Sequence, residues 1–174
     1  MRLVKIFNKT IDGDKENFNI LIQNRKENIY KIAYSYVNNV DDALDIVQDV
    51  IYKALTSIDT LKNPQYFNTW LTRITINCSI NHLRKSKKVV YMDESNIEGV
   101  DTNLNNREEI MDLRRELEKL DVKYKTVIIL KYFEDMTLNE ISQVLNLPIS
   151  TVKTHLYRAL EKLKINLKEA DLDE

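Results

Sequence analysis

The chain has 174 residues, 43% of them hydrophobic and 30% charged, with a net charge of −1, which suits one compact soluble domain or two small ones. Two glycines and two prolines are too few turn-formers for a many-stranded β protein, and a lone cysteine, Cys78, excludes an internal disulfide or a thiol cluster for zinc. No apolar run reaches the roughly 18 residues that cross a bilayer and no signal-peptide pattern opens the chain, so the expectation is a cytoplasmic, all-α protein without membrane insertion.

Phe18, Leu21, Ile22, Ile29, Ile32, Ala33 and Tyr36 recur at steps of three, four and seven, which predicts one helix from about Lys15 to Val37, ended by Asn38 and Asn39. Asp41 or Asp42 can cap the next helix, whose apolar stripe reads Leu44, Val47, Ile51, Tyr52 and Leu55. Lys62-Asn63-Pro64-Gln65 breaks the pattern, since proline disfavours helix in the residue before it. A third long helix runs from about Tyr66 to Lys88. The polar, acidic stretch from Val89 to Asn106 has no period and reads as a flexible linker. Four shorter helical segments follow, at about 107–120, 123–133, 137–145 and 149–167. The expectation is two small helical domains, 1–90 and 107–174, joined by a linker at 91–106.

The near-neutral total hides opposite blocks. Residues 1–90 carry net +5, residues 91–121 net −6, and the rest balance. Leu61 to Val90 holds six basic residues and no acid, while Ile149 to Lys168 holds five basic residues against Glu161 alone. Two basic segments divided by an acidic one suit a long polyanion touched twice, although solvated helix faces would look the same.

The C-terminal part is the most specific. Thr137-Leu-Asn-Glu140 fits a capping box, and its helix buries Ile141 and Leu145 before stopping at Asn146, which tolerates the left-handed conformation. Leu147-Pro148-Ile149 makes a bend, and Ser150 or Thr151 can cap a second helix that buries Val152, Leu156 and Leu160. This is a helix-turn-helix pattern, and the second helix can present Ser150, Thr151, Lys153, Thr154, His155 and Arg158 to the major groove. On the third helix, Trp70, Arg73, Asn77, Asn81, Arg84 and Lys88 share one face at steps of three and four. An indole, amides and cations without a carboxylate suit single-stranded nucleic acid; a core tryptophan beside a solvated stripe is the plain alternative. Asp42, Asp45 and Asp49, with Gln48, form an acidic stripe that cannot serve DNA and calls for another partner. Asp41-Asp42-Ala-Leu-Asp45 also matches the DDxxD pattern of isoprenoid synthases, but the second motif and the length of those enzymes are lacking. No catalytic set, metal site or cofactor site is expected.

Together these residues resemble an RNA polymerase sigma factor of the extracytoplasmic-function type. Asp42-Ala-Leu-Asp45-Ile-Val-Gln48-Asp49 is similar to that family's region 2.2. Phe67-Asn-Thr-Trp70-Leu-Thr-Arg73-Ile74, then Asn77 and Leu83-Arg84-Lys85, resemble regions 2.3 and 2.4. Tyr124 to Leu130 and Ser150 to Leu160 resemble region 4. Within the family, Asp41–Asp49 and Tyr124–Thr137 look most like the SigV group of Gram-positive bacteria, linked to cell-envelope stress. Asn81 departs from the family's frequent aspartate, and Ser142 and Asn146 depart from its usual alanine and glycine.

The resemblance implies that Asp42, Asp45, Gln48 and Asp49 dock on the β′ clamp helices of core polymerase, with the β flap as a further contact. It implies that Lys62, Asn63, Phe67, Trp70, Arg73, Asn77, Asn81, Arg84, Lys85 and Lys88 bind and melt the −10 element of promoter DNA, and that the helix-turn-helix reads the −35 element. The linker would thread near the RNA exit path, and a membrane-anchored anti-sigma factor would hold the protein inactive. The chain would be a specificity subunit and not itself an enzyme. The alternative from another class is a stand-alone helix-turn-helix regulator with a sensing or dimerising N-terminal domain.

Overall fold

A computed structural model describes the backbone of residues 15–90 and 116–170 and the side chains of 16–86 and 116–164. Every regular element among these residues is helical, so the all-α expectation holds. The chain divides into two compact units, Met1–Lys87 and Lys88–Glu174. The expected linker at 91–106 and the start of the expected 107–120 helix lie outside the described residues.

The first unit contains α1 (Lys15–Gln23), α2 (Lys26–Val37), α3 (Val40–Ser57), 3₁₀ turns at Ile58–Thr60 and Pro64–Tyr66, and α4 (Phe67–Val90). The single helix expected over 15–37 is broken at Asn24 and Arg25, where the Arg25 amide bonds the Ile22 carbonyl at 2.9 Å and the Arg25 side chain bonds Asn28 Oδ1 at 2.7 Å. Periodicity hides this break because Ile22 and Ile29, seven apart, keep the same phase across it, and both are buried. Asn38 ends α2 in the left-handed region (φ 50°), and Asn39, rather than Asp41 or Asp42, caps α3 by accepting from the Asp42 amide at 3.0 Å. The two aspartates occupy the first turn, where the helix dipole favours negative charge.

The core-facing side of α3 also differs from the expected stripe. Ala43, Ile46, Val47, Val50 and Ala54 are buried, whereas Leu44, Tyr52 and Leu55 are exposed. Alanines decide the matter: Ala33 of α2 and Ala43 and Ala54 of α3 are all fully buried, so the small and β-branched side chains take the packed face. Phe67, Leu71 and Cys78 of α4 complete this core, with Trp70 and Ile74 packed at its margin. Asn63 caps the proline-led 3₁₀ turn by accepting from the Gln65 amide at 3.0 Å.

The second unit holds α5 (Val122–Ile128), a π-helical turn at Ile129–Phe133, α6 (Leu138–Leu145) and α7 (Ile149–Ala170). Tyr124 to Leu130 are buried without interruption, as in a helix surrounded on all sides. The expected capping box is present: Thr137 Oγ1 accepts from the Glu140 amide and Glu140 Oε2 accepts from the Thr137 amide at 2.8 Å. Asn146 takes the left-handed conformation (φ 53°, ψ 46°), and the Ser142 hydroxyl donates to the Leu147 carbonyl at 2.6 Å, tying the turn from inside. The second helix starts one residue ahead of Ser150. The Pro148 carbonyl accepts from the Thr151 and Val152 amides, so neither Ser150 nor Thr151 is the cap. Val152, Leu156, Ala159 and Leu163 form its packed stripe, and Leu160 is turned out instead.

The capping box generates a direct expectation. Thr137→Ala should lower the stability of the C-terminal unit by about 1 kcal/mol. Asn146→Gly should be neutral or slightly stabilising, because glycine carries no Cβ penalty there, whereas Asn146→Val should cost about 1–2 kcal/mol or more. Urea denaturation of the three variants checks the order.

Candidate functional site

Three surfaces collect the expected site residues. The first is the outward face of α3. The helix turns 100° per residue, so the side opposite Ala43, Ile46, Val50 and Ala54 carries Asp41, Leu44, Asp45, Gln48, Tyr52 and Leu55, with Asp49 at its edge. Leu44, Tyr52 and Leu55 are 44%, 68% and 43% exposed. This face mixes carboxylates with large apolar side chains, and reading the apolar ones as core concealed that. Asp42 lies on the flank toward α4, where His82 Nε2 sits 3.0 Å from its Oδ1. Of the four expected polymerase-contacting residues, Asp45, Gln48 and Asp49 are thus exposed together, and Asp42, half-exposed, is tied to His82.

The second surface is α4. Thr75 and Ser79 are buried, and their hydroxyls donate to the Leu71 and Thr75 carbonyls at 2.9 Å, which satisfies them within the helix. Arg73, Asn77, Asn81, Arg84 and Lys85 are exposed, as are Lys62 and Asn63 in the preceding loop. The Lys88 side chain lies outside the described residues. Asn77, Asn81 and Arg84, with Ile74, Ile80 and Lys53 of α3, line an open groove of about 410 Å³. Lys53 and the two isoleucines were not among the expected site residues; Lys53 comes from a different helix, and sequence spacing cannot bring it there. Cys78 lies buried beside Lys53, and burial pushes its thiol pKa up against the opposing effect of that ammonium, which keeps it protonated.

The two aromatic residues assigned on α4 differ. Phe67 is 2% exposed and belongs to the core, so it is not a DNA-facing side chain; the step from the proline loop into α4 turns its ring inward. Trp70 is half-buried at the margin of the same core, with its ring 5.9 Å from that of Phe67, so packing holds one part of the indole and the rest stays on the face shared with Arg73.

The third surface is the exposed side of α7. Ser150, Lys153, Thr154 and Arg158 are exposed and Thr151 is half-buried, while the Thr154 hydroxyl donates back to the Ser150 carbonyl at 2.9 Å. His155 is also half-buried. Its ring stands edge-on to Tyr124 at 5.6 Å, with Nδ1 buried and without a hydrogen-bond partner. Packing on Tyr124, one helix away, occupies one side of its ring. Burial first, and then the Lys123 and Arg158 charges, hold its pKa below the ordinary imidazole value. Tyr157, one turn from Lys153, is 72% exposed on the same outer side of α7. Lys125 is also buried, and burial pushes its pKa down while Glu118 opposes the shift.

Comparison with known proteins gives a consistent result over nearly the whole chain. The family profile described as Sigma-70 region 2 matches residues 21–89, and that described as Sigma-70, region 4 matches residues 110–163. The RNA polymerase sigma factor SigV of Bacillus subtilis (strain 168) is 43% identical over 151 residues, covering 87% of this chain and 91% of that protein. The ECF RNA polymerase sigma factor SigW of the same organism is 31% identical over 185 residues, covering 97% and 98%. Among solved structures, the sigma factor RpoE in complex with the anti-sigma factor NepR from Bartonella quintana is similar with a TM-score of 0.73. It is 23% identical, and the match covers 88% of this chain and 98% of that one.

The environment of His155 sets a pH expectation. The folded protein refuses a proton that the unfolded chain accepts near the ordinary value of 6.5, so this group favours folding fully above that pH. Its contribution is lost as the pH falls through 6.5 toward the lower folded value. Urea titrations from about pH 8 to about pH 5 should show the loss, and His155→Phe should flatten the curve in that window. Identical slopes for the two proteins would show that His155 carries no such linkage.

Proposed function

Since the chain belongs to the extracytoplasmic-function group of the sigma-70 family and is SigV-like, a specificity subunit of RNA polymerase, we propose a division of labour among its three surfaces. The outward face of α3 docks on the polymerase β′ clamp helices through Asp45, Gln48, Asp49, Leu44, Tyr52 and Leu55. The exposed face of α4 melts the −10 element and holds unpaired bases, using Arg73, Asn77, Asn81, Arg84 and Lys85 with Lys62 and Asn63 alongside. The helix-turn-helix reads the −35 element through Lys153, Thr154 and Arg158. The chemistry of RNA synthesis is the polymerase's, so the chain carries no catalytic site of its own. No described helix is long and apolar enough to cross a membrane. In this reading the protein acts in the cytoplasm beside its polymerase and is held inactive by an anti-sigma factor, in keeping with the partner named for the RpoE structure. A cell-envelope stress role follows from the likeness to the SigV group.

One observation carries this reading. Adjacent helices of one small unit turn two unlike faces outward: a carboxylate-rich, apolar face on α3, and an amide and cation face on α4 whose groove has no acid among its lining residues. Burying a large apolar side chain is worth about 2 kcal/mol, so leaving Leu44, Tyr52 and Leu55 exposed forgoes several kcal/mol that a docked partner recovers. Asn77 and Asn81 each offer a donor and an acceptor, which suits the edge of an extruded base.

Run-off transcription with core polymerase on a candidate promoter tests the proposal, and product should depend on adding this protein. Asp45→Lys with Asp49→Lys should weaken core binding in a pull-down, by about 2–5 kcal/mol if the pairs are buried and less at a rim. Asn77→Ala with Asn81→Ala should keep core binding but block melting of duplex promoters, seen as lost permanganate reactivity of thymines. A template with the −10 region already unpaired should recover much of the activity. Normal melting by this variant would remove the α4 face from the mechanism.

A further inference from the structure

Around the Tyr124 ring the second unit gathers charge of one sign. The Lys123 ammonium stands 4.9 Å from the ring centroid and the Lys162 ammonium 5.2 Å from it. The Arg158 guanidinium lies near the Tyr124 hydroxyl, and the His155 ring closes one edge. Lys123, Arg158 and Lys162 are all exposed, whereas the tyrosine that joins them is 5% exposed. No ion pair to any of the three is seen among the described residues, although ion pairs occur at Lys31 and Lys119. The phenol is pulled below its ordinary pKa first by the Arg158 hydrogen bond and also by the charges of Lys123, Arg158 and Lys162, while burial opposes the shift. His155 is held below its ordinary pKa first by burial and then by the Lys123 and Arg158 charges.

Like charges gathered on one small patch repel, and the arrangement becomes favourable when an anion sits among them. The aromatic face offsets part of that repulsion, because its negative quadrupole attracts ammonium groups. The three cations come from two helices: Lys123 lies at the start of α5, and Arg158 and Lys162 lie one turn apart on α7. A rigid ring between the helices fixes their spacing without using a carboxylate, which would cancel the charge. The helix-turn-helix of α6 and α7 places this patch beside the side chains proposed to read duplex DNA.

We propose that Tyr124 is a positioning residue that holds Lys123, Lys162 and Arg158 as one seat for the phosphate backbone flanking the −35 element. The inference rests on the −35 reading given above and adds to it a part of α5 outside the helix-turn-helix. Phosphate contacts set register and orientation while base contacts specify, so the seat fixes how deeply and at what angle α7 enters the groove. Arg158 is then shared between its tyrosine partner and the DNA, whereas Lys123 and Lys162 serve the backbone alone.

Salt-dependent binding of the assembled holoenzyme to a promoter duplex is the test. Each lysine that neutralises a phosphate contributes about 0.9 to the slope of log affinity against log salt. Lys123→Gln and Lys162→Gln should each make the slope shallower by about that amount, and the double variant by about 1.8, with −35 sequence preference retained. Tyr124→Phe keeps the ring and loses the hydroxyl, so its slope should stay close to that of the unsubstituted protein while −35 affinity falls by up to about tenfold. Circular dichroism of each variant confirms folding, and the lysine changes on exposed side chains keep the test independent of the buried tyrosine. An unchanged slope in the double lysine variant, with −35 preference intact, overturns the phosphate seat alone. Absence of −35 preference in the unsubstituted holoenzyme overturns the reading of the helix-turn-helix and the seat together.

Discussion

The contact on which the N-terminal unit depends is the packing of α2 against α3 through alanines. Ala33, Ala43 and Ala54 leave no exposed surface, and between them Ile46, Val47 and Val50 fill the seam. Small residues at a helix contact let the backbones approach, and a leucine or tyrosine forced into that seam would be overpacked, at a cost of about 1–3 kcal/mol. The larger apolar groups of α3 consequently have nowhere to go but outward. A docking face is thus produced by the same choice that closes the core, and Asp45 and Asp49 beside it give that face its sign.

The helices proposed to meet DNA share a second device. They are rich in hydroxyl side chains, which are poor helix formers when free to compete with the backbone. Thr75, Ser79 and Thr154 instead donate to carbonyls one turn back on their own helices. For the buried pair this avoids the roughly 1–3 kcal/mol cost of an unsatisfied polar group. Thr72 Oγ1, also buried on α4, is the exception and has no partner among the described residues. The same helices leave amides and cations on the outer side. A carboxylate near those cations would weaken them, and the groove-lining set of Lys53, Ile74, Asn77, Ile80, Asn81 and Arg84 contains none.

How much of this was legible from the residues alone depended on the range of the interactions involved. The capping box at Thr137 and Glu140 and the left-handed Asn146 are decided within a few residues, and both stand as read. Helix class and the family resemblance rest on patterns spread through the chain, and they too stand. The outward face of α3 was misread because large apolar residues were weighed and alanines were not. His155 was assigned to DNA by its position along a helix and Phe67 by the family resemblance, yet their burial is set by partners elsewhere: the core beneath Phe67 and the Tyr124 ring beside His155. The break between α1 and α2 left no trace, since the apolar phase runs through it unchanged. Lys53 entered the groove from α3, and only tertiary packing could bring it beside Asn77.

His82 and Asp42 are forty residues apart, and their contact links the first turn of α3 to the middle of α4. His82 follows Asn81 directly on the helix proposed to hold unpaired bases, and Asp42 stands three residues before Asp45 on the helix proposed to bind polymerase. A change of promoter preference obtained by grafting another relative's α4 into this chain would therefore alter the partner of Asp42 unless the graft carried a histidine at that place. In such chimeras the two positions form one unit of exchange, and a recoded reading helix would need its matching residue at the head of the docking helix.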